Sequence, residues 1–287
     1  MRIIRVADYD EMSSRAADVI AAQLILDPRS VLGLATGTTP VGAYRLLVEK
    51  NRRGEIDFSQ VRTYNLDEYR GLSHDDSQSY HYFMADNLFK HVNIDMANTH
   101  VPDGSDPDAE SACRAYDAMV EEAGYPDLQL LGIGNNGHIG FNEPAEGFPV
   151  GTHCVDLTPS TIQANSRLFD DPDDVPRQAY TMGVGTIMKS RRVLVLASGA
   201  AKADAVRAMC YGPVVPSCPA SALQLHPDCI VIADEAALDG WRSQRARREG
   251  RRDQGRASLS HVSGPLSRAC AVRARVDYSF TTRGSWL

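Results

Sequence analysis

The sequence predicts a doubly wound α/β domain, with a mostly parallel, modified Rossmann-like sheet flanked by helices, over residues 1–240. Three observations predict it. Six short apolar runs, at residues 3–6, 31–35, 61–66, 128–133, 193–197 and 230–233, have the length and near-continuous hydrophobicity of strands buried on both faces. Segments with helical periodicity alternate with them in the manner of βαβ units. The polar segments that could carry chemistry stand directly after the runs, where an open parallel sheet places its ligands.

Residues 3–6 form the first expected strand, and the helical pattern of residues 9–24 follows it. The second strand, 31–35, runs into Thr36-Gly37-Thr38-Thr39-Pro40 and a helix over 41–50. Thr39 is expected to cap a helix whose first residue is Pro40. The third run, 61–66, delivers the adjacent acids Asp67 and Glu68 where the chain leaves the sheet, and helical patterns follow at 80–89 and 109–123. The fourth, 128–133, leads into GIGNNGHIGFNEPA, residues 132–145. The fifth, 193–197, leads into SGAAK and a helix over 202–209, and the sixth closes the pattern.

Composition narrows the class of function. With 287 residues, 43% hydrophobic and 23% charged, the chain buries a core of ordinary size. No stretch approaches ~18 uninterrupted apolar residues and the N-terminus has no signal-peptide pattern, so a cytoplasmic protein without membrane contact is expected. The six cysteines include no C-x-x-C pair and read as buried thiols rather than a zinc site or disulfide framework. His81, His138 and His226 share no H-x-x-x-H spacing, so no metal is expected. The net charge of −7 hides a division: residues 241–287 carry eleven Arg, no Lys and three acids, net +8, which leaves −15 on the rest. An acidic body argues against nucleic acid as the partner. The tail reads as a solvated, disordered segment separate from the domain.

Four strand-end loops gather the candidate chemistry. Residues 36–40 combine hydroxyls, a glycine and a helix N-terminus, the elements of an anion site. Asp67 or Glu68 offers a general base; the plainer reading is a capping acid with a solvated neighbour. GIGNNG matches the G-x-G-x-x-G template, with Asp156 downstream, but Gly137, Gly140 and Pro144 leave no room for the helix that a dinucleotide fold opens there. The segment therefore reads as an irregular loop presenting His138 and Glu143. A carboxylate near His138 would orient the imidazole and favour its protonated form. Lys202, at a helix start, is a cation disfavoured by the helix dipole unless an anion is bound; Arg167 is a second candidate clamp.

The residues LGLATGTTPVGAY (32–44), YNLDEYRGL (64–72), GIGNNGHIGFNEPA, NSRLFD (165–170), YTMGVGTIM (180–188) and LQLHP (223–227) resemble, in order, the glucosamine-6-phosphate deaminases. The resemblance covers residues 1–238 and leaves the tail without a counterpart. It implies a cofactor-free conversion of glucosamine 6-phosphate and water to fructose 6-phosphate and ammonia. It implies that Asp67 moves the C2 proton, that His138 with Glu143 opens the sugar ring, and that Thr36, Gly37, Thr38, Thr39, Arg167 and Lys202 hold the phosphate. Asn136 stands where part of the family has aspartate, so the relay rests on His138 and Glu143. Some members are hexamers activated through basic residues soon after FNEPA; residues 146–155 here contain no Arg or Lys, so that mode is not expected, and a homo-oligomer is left open. The alternatives are another sugar-phosphate enzyme of this fold, a phosphogluconolactonase or phosphosugar isomerase, or a non-catalytic sugar-phosphate sensor.

Overall fold

A computed structural model describes residues 1–158, 162 and 175–239. All six expected strands are present: β1 (Arg2–Val6), β2 (Val31–Leu34), β3 (Arg62–Asn65), β6 (Leu128–Leu131), β9 (Val193–Ala197) and β10 (Cys229–Asp234). With β5 (Thr99–His100) they make a parallel sheet in the order β1-β10-β9-β6-β2-β3-β5. From β2 the chain winds one way to β3 and β5, and then the other way to β6, β9 and β10. The direction reverses between β2 and β6, which pair through Leu32–Leu128 and Gly33–Gln129. That reversal opens a crevice at the carboxyl ends of the two strands, between the loops that follow them.

Helices α1 (Tyr9–Leu26), α2 (Val41–Arg52), α3 (Tyr80–Asn87) and α4 (Ala109–Glu122) match the expected segments within a few residues. A four-residue helix α5 (Val184–Ile187) precedes β9, and α6 (Ala203–Tyr211) follows it. Asp8 starts α1 by accepting from the Glu11 amide at 2.9 Å, while the Glu11 carboxylate accepts from the Ala7 amide at 2.9 Å, so the strand-to-helix turn is fixed by its own side chains. Among the described residues no helix is long and apolar enough to cross a membrane.

The pleat sorts the core into two faces. Along β9, Leu194 and Leu196 enter the layer under α1 and α2, with Met12, Ile20, Tyr44 and Leu47. Val193, Val195 and Ala197 enter the opposite layer with Tyr116, Val206 and Met209 of α4 and α6. Strands loaded with apolar side chains on both faces are what the continuous hydrophobic runs require.

The structure corrects the sequence reading at Asp67–Tyr69. These residues form a strand, β4, which pairs antiparallel with β8 (Gln178–Thr181); β8 in turn pairs with β7 (His153–Asp156) in a second, three-stranded sheet. Leu66 is the handover: its amide donates to Leu34 of β2 at 3.1 Å, and its carbonyl accepts from Met182, just after β8, at 2.7 Å. Strands of three and four residues leave too little periodicity to read, and β4 meets its partner β8 more than a hundred positions away. The small sheet also holds the loop after β6. The Thr181 hydroxyl accepts from the Phe141 amide at 3.0 Å, and the Asn142 side-chain amide donates to the carbonyls of Ile139 and Met182 at 2.8 and 2.9 Å.

Replacing Thr181 by Val keeps the shape but strands the buried Phe141 N–H, which costs about 1–3 kcal/mol. Thr181→Val is therefore expected to lower the thermal midpoint by several degrees in a calorimetric scan. An unchanged midpoint would mean that Thr181 is not what holds the loop.

Candidate active site

The loops after β2, β6 and β9 and the strand β4 surround one cavity of about 510 Å³. Thr36, Gly37, Thr39, Asp67, Asn136, His138, Glu143 and Lys202 all line it. Thr38 does not: its carbonyl accepts from the Tyr9 hydroxyl at 3.0 Å, and the same hydroxyl accepts from the Gly42 amide at 2.9 Å. The expected Thr39 cap is also absent. Pro40 holds the N-cap position of α2 and no side chain caps that helix, so Thr39 faces the cavity beside helix N–H groups that a bound anion can satisfy. Tyr44 fastens the loop from below, donating to the Ala35 carbonyl at 2.6 Å and accepting from the Ala35 amide at 3.2 Å. Neither tyrosine was singled out by the sequence, because each lies on a helix face indistinguishable from core.

Asp67 is 6% exposed, and its Oδ1 has no hydrogen-bond partner among the described residues. Burial, reinforced by the charge of Glu68, pushes its carboxyl from the ordinary value of 3.8 to about 8. The adjacent acid has a different environment. Glu68 is fully buried, and its carboxylate accepts from the backbone amides of Tyr69, Tyr80 and His81 at 2.8, 2.9 and 2.9 Å. It thus caps α3 from a neighbouring strand, beside the local N-cap Ser79. The two readings offered for this pair divide between its members: Glu68 holds a helix, and Asp67 faces the cavity.

After β6 the chain is irregular and opens no helix at its glycines. His138 lies against Gly134, where a Cβ would come within 2.3 Å of the imidazole Cε1 and Nε2; only glycine admits the ring there. Glu143 Oε1 stands 3.1 Å from His138 Nδ1, within ion-pair reach but off the hydrogen-bond direction. Its Oε2 accepts from the Asn136 side-chain amide at 2.6 Å, and Asn136 Oδ1 accepts from the His138 amide at 3.1 Å. Asn136 therefore orients the His138–Glu143 pair by neutral hydrogen bonds.

Lys202 ends a single 3-10 turn, Ala200–Lys202, and stands at the N-cap of α6. Desolvation lowers its pKa, and it makes no ion pair with a described residue, so it presents a poorly solvated cation to the cavity. Arg167 lies outside the described residues. Tyr80, which the sequence reading passed over, also lines the cavity. Its hydroxyl is 3.4 Å from that of Tyr69 and shares a side-chain hydrogen bond with Thr36. Its position at the first turn of α3 follows from the bonds to Glu68.

Residues 7–231 match the family model described as glucosamine-6-phosphate isomerases/6-phosphogluconolactonase. The chain belongs to this family. Over 237 residues it is 55% identical to the glucosamine-6-phosphate deaminase of Halothermothrix orenii, an alignment spanning 83% of this chain and 98% of that protein. It is 55% identical to the enzyme of the same name from Clostridioides difficile, over 83% of this chain and 95% of that one. The structure of a monomeric glucosamine-6-phosphate deaminase superimposes with a TM-score of 0.81 at 45% identity, covering 83% and 99% of the two chains. The 6-phosphogluconolactonase of Thermotoga maritima, at TM-score 0.64 and 20% identity over 82% and 99%, shares the fold. The family thus spans two chemistries on one scaffold.

The raised Asp67 carboxyl has a consequence for stability. A folded-state pKa near 8 against an ordinary 3.8 means that the folded protein binds the extra proton between those values, so stability falls as pH rises from about 4 to about 8. Asp67→Asn, neutral throughout, escapes that loss. Its thermal midpoint is expected to match wild type at or below about pH 4 and to exceed it at pH 9. A difference that does not grow with pH would show that Asp67 is not held protonated by burial.

Proposed function

We propose that this chain converts glucosamine 6-phosphate and water to fructose 6-phosphate and ammonia, by isomerisation coupled to deamination, in cytoplasmic amino-sugar breakdown. The observation that carries the reading is the convergence on one cavity of a buried carboxyl with an unpartnered oxygen, a histidine–carboxylate pair, and an anion loop with a cation opposite. The relatives at 51–55% identity that carry the deaminase name, against about 20% for the phosphogluconolactonases, favour deamination over lactone hydrolysis.

The site residues take the following roles. Thr36, Gly37, Thr39, the open N-terminus of α2 and Lys202 hold the phosphate, with Arg167 as a further clamp. Binding energy at the phosphate, remote from the reacting carbons, orients them. His138, steadied by Glu143 and Asn136, moves a proton from the C1 hydroxyl to the ring oxygen, which opens the pyranose to the aldehyde. A histidine suits this step because it gives and takes a proton near neutral pH. Asp67 then abstracts the C2 proton and returns it to C1, while a proton passes from the amino nitrogen to the C1 oxygen, leaving a hydroxymethyl group at C1 and an imine at C2. Water adds to that carbon and ammonia departs, which completes the balance of atoms without oxidation or reduction. Burial serves Asp67 here, since a carboxylate of raised pKa is a stronger base toward carbon.

Incubation with glucosamine 6-phosphate is expected to release equal amounts of ammonia and fructose 6-phosphate. Asp67→Asn should abolish both turnover and exchange of the C2 proton with solvent while leaving binding nearly intact. His138→Gln should be slow on the cyclic substrate yet less impaired in reverse, where the open-chain ketose enters without ring opening. Binding without any turnover would favour a sensor; equal loss in both directions for His138→Gln would reassign the ring-opening role.

The domain boundary is part of this proposal: residues 1–240 form the catalytic domain and the Arg-rich tail is dispensable. A chain ended at Gly240 is expected to stay soluble and keep most of its activity. Aggregation or loss of turnover on truncation would show that the tail belongs to the working unit.

A further inference from the structure

Asp234 ends β10 and is buried at 5% exposure, yet it does not line the cavity. It sits one residue beyond the last ladder pair with β9, Ala233–Ala197, and so lies beside Ser198 at the start of the SGAAK loop. Its carboxylate gathers four hydrogen bonds. The Ser198 hydroxyl donates to Oδ2 at 2.5 Å, the Gly199 amide to Oδ1 and Oδ2 at 3.1 and 3.0 Å, and the Ala237 amide to Oδ1 at 2.7 Å. Gly199 has φ of 91° and ψ of 152°, a conformation closed to L side chains. The Lys202 amide then donates to the Gly199 carbonyl at 3.0 Å, closing the single turn that lifts the lysine to the cavity.

We propose that Asp234 is a positioning residue for phosphate-ester binding: its carboxylate clamps the Ser198–Gly199 turn in the conformation that places Lys202 against the substrate anion. The inference rests on Lys202 being the phosphate cation of the proposed function. The sequence of contacts is continuous. Asp234 fixes the amide and hydroxyl at the start of the turn, Gly199 takes the conformation those bonds demand, and the turn fixes the origin of the lysine side chain. Without the carboxylate the glycine is free to rotate, and Lys202 would have to be ordered by the ligand at a cost in affinity.

The electrostatic alternative has the opposite sign. A negative charge behind the anion loop repels phosphate, so if Asp234 acted only through its field, neutralising it would tighten binding. The clamp requires binding to weaken. Asp234→Asn keeps the volume but turns a donor group toward the backbone amides it must accept from.

The test is a double-mutant cycle of Asp234→Asn with Lys202→Met, measured with glucosamine 6-phosphate as substrate and inorganic phosphate as competitive inhibitor. Asp234→Asn is expected to raise KM and the phosphate inhibition constant together by roughly three- to twentyfold, inside the range over which members of one hydrogen-bond network couple, with kcat within about twofold. In the Lys202→Met background the same change should have little further effect on KM. Additive effects, a fall in KM, or a loss confined to kcat would overturn the positioning role. An unchanged KM in Lys202→Met alone would overturn the anion-site assignment, and with it the inference. Ser198→Ala removes one bond to the same carboxylate and carries the cycle if Asp234→Asn does not fold; it should show the same non-additivity at smaller amplitude.

Discussion

The antiparallel pairing of Asp67 with Thr181 is the constraint on which the site depends. The parallel sheet alone would carry Asp67 away from the crevice with the rest of its loop. Because Leu66, between β3 and β4, bonds to β2 through its amide and to the segment after β8 through its carbonyl, Asp67 becomes part of a second sheet. Thr181, its partner in that pairing, also accepts the Phe141 amide, and Asn142 is tied to Met182 in the next position. One short strand pair thereby sets Asp67 and the loop that carries His138 in a common frame. Neither group can shift without breaking buried backbone hydrogen bonds, which are the costliest bonds to leave unmade.

That frame lets the protein hold unfavourable groups in place. A buried carboxyl, a desolvated lysine and an imidazole short of alignment with its carboxylate are each poor for stability on their own. They persist because the residues around them are over-determined: Tyr44 and Tyr9 brace the anion loop, Asn136 braces Glu143, and Glu68 braces the helix that presents Tyr80. Glu68 and Asp67 make the point most directly. Two neighbouring acids with the same side-chain chemistry are separated in role by what their oxygens meet, three backbone amides for one and an open cavity for the other.

The crevice itself comes from topology. Loops after β2 and β6 are neighbours in space because the winding reverses between those strands, although almost a hundred residues separate them in the chain. Lys202 joins from the loop after β9, the strand next to β6, so it and His138 enter the cavity from adjacent strand ends. Family members with a different chemistry share this scaffold. A shared fold leaves function to the sites set on it.

The sequence by itself determined six of the seven strands of the parallel sheet and its main helices, and it singled out most of the polar residues that meet at the cavity. Strands buried on both faces must be apolar throughout, so β2, β6, β9 and β10 announced themselves, and a helix needs its caps and periodicity, so α1 to α4 did as well. Asp67, His138, Glu143 and Lys202 were legible because each stands next to such a strand. The Thr39 cap was misjudged, since a hydroxyl before a proline-led helix does not reveal whether it turns to the helix or to the cavity. Tertiary structure alone decided the second sheet, the burial that raises Asp67, and the divergence of Asp67 from Glu68. It alone placed Tyr80 in the cavity wall and Asp234 against the Ser198–Gly199 turn. These depend on pairings between distant segments, through strands too short to carry a period and through carboxylates whose environment is built by backbone amides rather than by neighbouring residue types. No local pattern encodes such partners, and only the closed fold brings them together.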